Sequence, residues 1–480
     1  MATGALDAER VEEITKPGSG DFEELRTSLR GAILQPGDEG YEAARRIWNG
    51  MIDRRPAVIA RCTGPADVMA AVRFARGRGL PIAVRGGGHN VSGNAICEGG
   101  LVIDLSPMRG VRVDRERMVV RVAGGALLGD VDHETQAFGL ATPLGAVSAT
   151  GVGGLSLHGG LGFLTRKYGL TADNLASADV VTADGELITA DENHHPDLLW
   201  ALRGGGGNFG VVTSFEFRLH PVGPEVWMLL TFYPAAEGRK VVEFFRSFMP
   251  QAPDELMALA IYWNAPEGEP IPEEHRGAPV IVIVGCWCGP LAEGERATRP
   301  LREIAAPIAD LSGPMPFIAA QRLFDADYPS GGRYYWKSLY LRELSDEAVQ
   351  FIHEVATERP TPFSTVELWA LGGAVSRVRP EATAFFHRDA PWLFTIEANS
   401  MDPATDEANI AWVRRRYDDA RRFASGGTYF NFAGFLEGGE ELLAQSFGTN
   451  YPRIREIKAT YDPENVFHHN LRIPVGKEGA

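Results

Sequence analysis

Four cysteines in 480 residues, Cys62, Cys97, Cys286 and Cys288, are too few and too scattered to staple a chain of this size. Cys286 and Cys288 share one face of a predicted strand, and no further Cys or His stands at ligand spacing, so buried thiols are expected and a metal is not. His194–His195 and His468–His469 lack the i, i+4 spacing of a helical zinc site. Positive charge is also short: 47 Lys and Arg against 63 Asp and Glu leave a formal charge of -16. That balance excludes the basic footprint of a nucleic-acid or anionic-membrane partner. No apolar run is long enough to cross a bilayer. Residues 1–16 are polar and acidic, without the basic and apolar regions of a secretory leader, so the expectation is a cytoplasmic enzyme. Internal repeats and low-complexity stretches are absent, and no feature sets an oligomeric state.

What the chain has is glycine, 55 residues of it, concentrated in three turns. The first, Arg85-Gly-Gly-Gly-His-Asn-Val-Ser-Gly93, follows an apolar run at 80–84 that reads as a strand. Three glycines in succession remove every Cβ from the turn, and exposed N–H groups there make a nest for an anion such as a pyrophosphate. Neither the P-loop nor the GxGxxG pattern is present, because no Lys-Ser/Thr follows and no helix starts here. The second cluster is Gly151, Gly153, Gly154, Gly159, Gly160 and Gly162. The third, Arg203-Gly-Gly-Gly-Gly-Asn-Phe-Gly210, runs into an alternating strand at 214–219. Three such turns in one domain point to backbone lining an extended ligand.

Apolar residues at helical spacing predict helices at 65–77, 127–138 and 196–203. Alternating runs predict strands at 101–105, 111–113, 118–122 and 178–182. Mixed elements without strict alternation argue for an α+β fold. From about 226 the character changes. Strands at 226–233, 257–263, 280–288, 366–371 and 392–399, with helices at 240–248, 293–305, 346–357 and 406–423, predict one large antiparallel sheet backed by helices. An aromatic-rich stretch holds Tyr334, Tyr335, Trp336 and Tyr340, with Trp369 further on; such residues more often build core than pocket.

The three glycine clusters, in this order and spacing, resemble the flavin domain of the vanillyl-alcohol oxidase / p-cresol methylhydroxylase (PCMH) superfamily, and more narrowly its berberine-bridge-enzyme-like branch. The far end agrees: Tyr429-Phe-Asn-Phe432, Phe447-Gly-Thr-Asn-Tyr451, Tyr461-Asp-Pro-Glu-Asn-Val-Phe467, and Asn470 with Pro474. The resemblance covers 56–222 closely and 427–474 well. It implies a lead-in at 1–54, a PCMH-type FAD-binding domain at 55–222, a substrate domain at 223–424 and a return segment at 425–480 that completes the discontinuous FAD domain.

The resemblance also implies residue roles. His89 would bond through a ring nitrogen to the 8α-methyl carbon of FAD, preventing dissociation and raising the reduction potential. Val147 stands where many members carry a cysteine linked to flavin C6; valine forms no thioether, so attachment is expected to be single. Thr150 matches a position beside the flavin's reactive edge where relatives using O2 often have valine. Arg85, Gly86, Gly87, Gly88, Asn90, Ser92 and Gly93 belong to the pyrophosphate turn. Gly151, Gly153, Gly154 and Gly160 would line the ribityl chain and ring, Gly210 and Val212 the adenine side, with Asn174 and Asn470 supporting the loops.

The family's frequent tyrosine base falls on Phe432, which holds no proton. Glu397, on the predicted strand with Thr395 and Asn399 on its face, is the expected base, since a carboxyl in an apolar pocket has its pKa raised. Tyr429 and Asn431 are secondary candidates for polarising the substrate. The expected activity is oxidation of a small aromatic or secondary-metabolite alcohol or amine, with hydride passed to flavin N5 and O2 reduced to H2O2. The alternatives are a flavin monooxygenase or oxidative cyclase, a dehydrogenase with another acceptor, and a non-catalytic flavoprotein.

Overall fold

The computed structural model describes residues 22–435 and 439–475, so the first part of the lead-in expected at 1–54 lies outside the described residues. Strands Val58–Arg61 and Ile82–Arg85 both pair parallel with Leu101–Asp104, and Ala32–Leu34 adds an antiparallel edge. Helix Pro65–Gly77 matches its predicted span and buries Val68, Ala71, Val72, Phe74 and Ala75. Proline opens it where a missing N–H costs nothing. A second, antiparallel sheet runs in the order Val111–Asp114, Val119–Ala123, Val211–Arg218, Leu175–Val181, Leu187–Ala190. The Leu175–Val181 strand begins earlier than the predicted residue 178, because Leu175 still pairs with Phe217 across a bulge. The architecture is α+β, as expected.

The second half builds the large sheet. Its main path is Ala309–Asp310, Glu225–Pro234, Pro279–Trp287, Leu256–Asn264, Thr365–Ala370, Trp392–Ser400 and Arg333–Leu341, with Gly313–Pro316 pairing off the path. All pairings are antiparallel. Alternation along each strand gives the sheet two buried faces. On one, Phe394 and Ile396 pack with Val241, Phe245, Val349 and Trp412 of the covering helices. On the other, Leu259, Ile261 and Trp369 meet Leu161 and Phe163 from the second glycine cluster and Tyr429 from the return segment. Among the described residues no helix is long and apolar enough to cross a membrane.

Two helices in the return segment, Glu440–Phe447 and Tyr451–Tyr461, had no predicted counterpart. Their Leu443, Phe447, Ile454 and Ile457 pack with Val120, Val122, Phe215 and Phe217 of the antiparallel sheet. Arg388 ties the halves together: fully buried, it makes two 2.7 Å bonds to the Asp173 carboxylate. Arg388→Met leaves that buried carboxylate without its counter-charge, the Leu170 N–H remaining as a donor, and is expected to cost about 3 kcal/mol, read as a lower thermal midpoint. The four cysteines are free and buried.

Candidate active site

A cavity lies between the glycine turns and the inner face of the large sheet, offering about 240 Å³ to the centres of water molecules. That is room for on the order of twenty waters, in a channel walled by both halves of the chain. Its floor exists because the first glycine turn touches Gly151, which opens helix Val152–Leu157 where the sequence predicted a second glycine turn. A Cβ on Gly87 would stand 2.4 Å from the Gly151 nitrogen, and one on Gly151 would stand 2.3 Å from the Gly87 nitrogen. Gly154, by contrast, would point a Cβ into open space within the cavity wall. Gly151→Ala drives backbone into backbone, and we expect a loss of about 1–3 kcal/mol, read by thermal melting.

His89 lines the same cavity. Trp48 stacks on its ring (centroids 3.9 Å apart, 18° between planes) and on Tyr334 from the other side (3.8 Å, 3°). This ladder joins the lead-in, the first glycine turn and the large sheet, and it fixes the imidazole plane. Burial lowers the His89 imidazole to about 4, so the ring is neutral near neutral pH. Its Nε2 is buried with no hydrogen-bond partner among the described residues. A polar atom left so costs about 1–3 kcal/mol unless something bound completes the site.

Opposite stands a pair of buried carboxyls. Glu397, on Trp392–Ser400, is flanked in register by Trp336 and Thr365; Glu367 lies across from Thr395 and Ile261. Both glutamates are almost wholly buried. The Tyr328 hydroxyl lies 3.3 Å from Glu367 Oε1 and 3.3 Å from Glu397 Oε2. Burial first, then the neighbouring Glu367 charge, push Glu397 well above the ordinary carboxylate range. Burial also raises Glu367, against donors from Trp369, Thr365 and Tyr328. No Lys or Arg lines the cavity among the described residues.

The structure gathers most of the expected residues here. Gly86, Gly87, Gly88, His89 and Asn90 line the cavity, as do Val147, Thr150, Gly151, Gly153, Gly154, Gly210, Val212 and Asn470. Glu397, Tyr429 and Asn431 line it too, with Phe432. Five others lie off the lining. Arg85 turns back to a buried bidentate pair with Asp104 and bonds the Ala44 carbonyl, pinning the turn from behind. Ser92 donates to Asn90 Oδ1 at 2.9 Å, and Gly93, at φ +76°, packs against Ile52. Gly160 spends its N–H on the Tyr429 hydroxyl, and Asn174 braces the Tyr168 and Leu170 carbonyls. These five shape loops that carry the wall.

Tyr429 is likewise anchored. Its hydroxyl oxygen accepts from Gly160 N, Leu161 N and Asn431 Nδ2 at 2.9–3.1 Å, and burial pushes the phenol up to about 12. Sequence reasoning did not pick out Glu367, Tyr328, Trp48 or His158. For Glu367 a signal existed: Thr365, Glu367 and Trp369 alternate on one face as Thr395, Glu397 and Asn399 do. Trp48 and Tyr328 reach the site only through the fold, whereas His158 sits beside Gly159 in the second glycine cluster.

Residues 56–191 match the family model described as an FAD binding domain, and residues 428–474 match that for berberine and berberine-like proteins. The (R)-6-hydroxynicotine oxidase of Paenarthrobacter nicotinovorans is 33% identical over 459 residues, covering 93% of this chain and 97% of that protein. The glucooligosaccharide oxidase of Sarocladium strictum is 29% identical over 479 residues, covering 91% and 90%. The crystal structure of 6-hydroxy-D-nicotine oxidase from Arthrobacter nicotinovorans superposes with a TM-score of 0.82 at 29% identity, covering 93% of this chain and 98% of that one. The unpartnered His89 nitrogen and the glycine cradle fit a flavin dinucleotide. The chain belongs to the berberine-bridge-enzyme-like family of FAD-linked oxidoreductases.

Proposed function

We propose that the chain is an oxidase in which FAD is covalently held by His89 alone and a small-molecule substrate gives up a proton to the Glu367–Glu397 pair. The observation that carries this reading is that His89 and both glutamates line one cavity. When bound, FAD supplies the two-electron acceptor for oxidising a carbon–oxygen or carbon–nitrogen single bond, with O2 as final oxidant and H2O2 as its product.

The other tasks fall to the chain. Backbone N–H groups of Gly86–Gly88 serve the pyrophosphate. The neutral His89 ring, held flat by Trp48, would be the group that holds the flavin covalently. Val147 rules out a thioether, and Thr150, near valine in size, leaves room for O2 at the wall. Trp336, Trp369 and Phe432 exclude water and orient a flat substrate; Phe432 meets the two indoles at 5.7 and 5.8 Å. The carboxyls take the proton as the bond is oxidised. Relatives bear the names of oxidases of hydroxynicotine and of glucooligosaccharides, which supports oxidase chemistry.

The test is an absorption spectrum and intact mass of acid-precipitated protein, followed by peroxide assay during turnover. A yellow precipitate one FAD heavier than the chain, with peroxide formed, supports the reading. Labelled oxygen in the product favours the monooxygenase, slow reoxidation in air the dehydrogenase, and colourless fractions overturn the flavin reading.

A further inference from the structure

Resting on that reading, we propose that Glu367, and not Glu397, is the carboxylate that receives the substrate's proton, and that Tyr328 is the positioning residue that holds the two side chains as one singly charged unit.

The geometry separates the two acids by the donors they face. Glu367 Oε2 receives the Trp369 indole N–H at 2.9 Å. An indole has one N–H and no acceptor, so this donor cannot reverse. The outer oxygen of Glu397, Oε1, faces the Thr395 hydroxyl at 3.2 Å, which rotates freely between giving and accepting. Between the acids, Glu367 Oε1 and Glu397 Oε2 share two hydroxyls. Tyr328 lies 3.3 Å from each, and Thr365 lies 3.1 Å from the first and 3.3 Å from the second.

Each hydroxyl carries one proton and serves one carboxylate at a time. A proton on Glu397 Oε2 resolves the arrangement: it donates to the Tyr328 oxygen, and the Tyr328 O–H donates to Glu367 Oε1. The chain acid, phenol, carboxylate then has every bond pointing one way, ending on the oxygen pair with the fixed indole donor. Two adjacent anions in this space would lack a counter-charge, since no Lys or Arg lines it among the described residues. The titratable groups facing one another are Glu367, Glu397 and Tyr328, with Asp327 acting on Tyr328. Burial and the two carboxyls push the Tyr328 phenol well up, which keeps it a donor. In the step itself the substrate's acidic bond to hydrogen breaks, its electron pair stays on the substrate, and an O–H forms on Glu367.

Tyr328 reaches this position on the segment between Gln321 and Gly332, which is tied to the glycine side. Gln321 donates to the Gly145 carbonyl at 3.2 Å, Asp325 accepts from Ser148, and the Tyr328 carbonyl accepts the Trp48 indole at 2.9 Å. The phenol is therefore placed from the flavin side while the acids are placed by the sheet.

Infrared difference spectra of the purified holoprotein, taken against pH, read the proton directly. Glu397→Gln is expected to erase one carboxylic-acid C=O band present at neutral pH, and Glu367→Gln to keep it. Tyr328→Phe removes a donor that favours the anion, so the pH at which the pair takes its second proton should rise by about one unit. Glu397→Asp and Glu367→Asp guard against misfolding: the first should shift the band, the second should leave it. A band lost in Glu367→Gln and kept in Glu397→Gln overturns the proposal, as does a Tyr328→Phe midpoint equal to that of the parent. Failure of the oxidase reading shows separately, as missing flavin colour or no bleaching by any substrate.

Discussion

His89→Ala is expected to convert a flavin that stays with the acid-precipitated chain into one that washes out entirely. The mass gain of one FAD disappears, and the yellow colour moves from pellet to supernatant. The physical reason is that alanine offers no nucleophile, while Gly86, Gly87 and Gly88 of the cavity wall are untouched. The fold should survive. The change removes one stacking partner of Trp48, worth about 0.5–1.5 kcal/mol, and Tyr334 still covers the other face. A variant that keeps its flavin through acid precipitation would sink the histidyl assignment. A parent protein that releases its flavin would do so earlier.

The second large effect is kinetic. Glu367→Gln should slow bleaching of the flavin by a turned-over substrate by about 10²–10⁴-fold, the usual contribution of a positioned base. Glu397→Gln should cost less than about tenfold, because an amide replaces a group that already works uncharged. The pH dependence follows from the direction of the shifts. Both acids are raised by burial, so the pair holds its protons above the ordinary carboxylate range, and the base form appears only as pH climbs past it. The rate therefore rises with pH along a limb displaced upward from that of a free carboxylate, and Tyr328→Phe moves the limb further up. Stopped-flow measurement across pH checks both statements; a Glu367→Gln rate within twofold of the parent places the base elsewhere.

Much of this was legible in the chain itself. Helix Pro65–Gly77 and helix Asp346–Thr357 occupy their predicted spans, because each carries an unbroken 3.6-residue apolar stripe between clear end signals. The strand bearing Glu397 was readable from alternation, including which neighbours share its face. Elsewhere local pattern was silent or misleading. Arg85 belongs to a ligand-binding motif by position, yet its guanidinium is satisfied by Asp104 on the adjacent parallel strand, a partner 19 residues away. The Tyr429 hydroxyl accepts N–H donors from a segment 268–269 residues upstream, a tie that no local pattern announces.

By itself the sequence determined the kind of backbone the site needs: three glycine-dense segments and a histidine in the first, with Val147, which carries no thiol, ahead of the second. Those are local properties, set by which residues permit close approach and which carry a nucleophile. Only the tertiary structure decided the acid–base arrangement. Glu367, Glu397 and Tyr328 come from three separate segments, 30 to 69 residues apart, and their separate pKa values, donors and proton count have no meaning until strand register and the 321–332 segment bring them within 3.3 Å. Burial and charge coupling act through space, and that is why no spacing along the chain announced them.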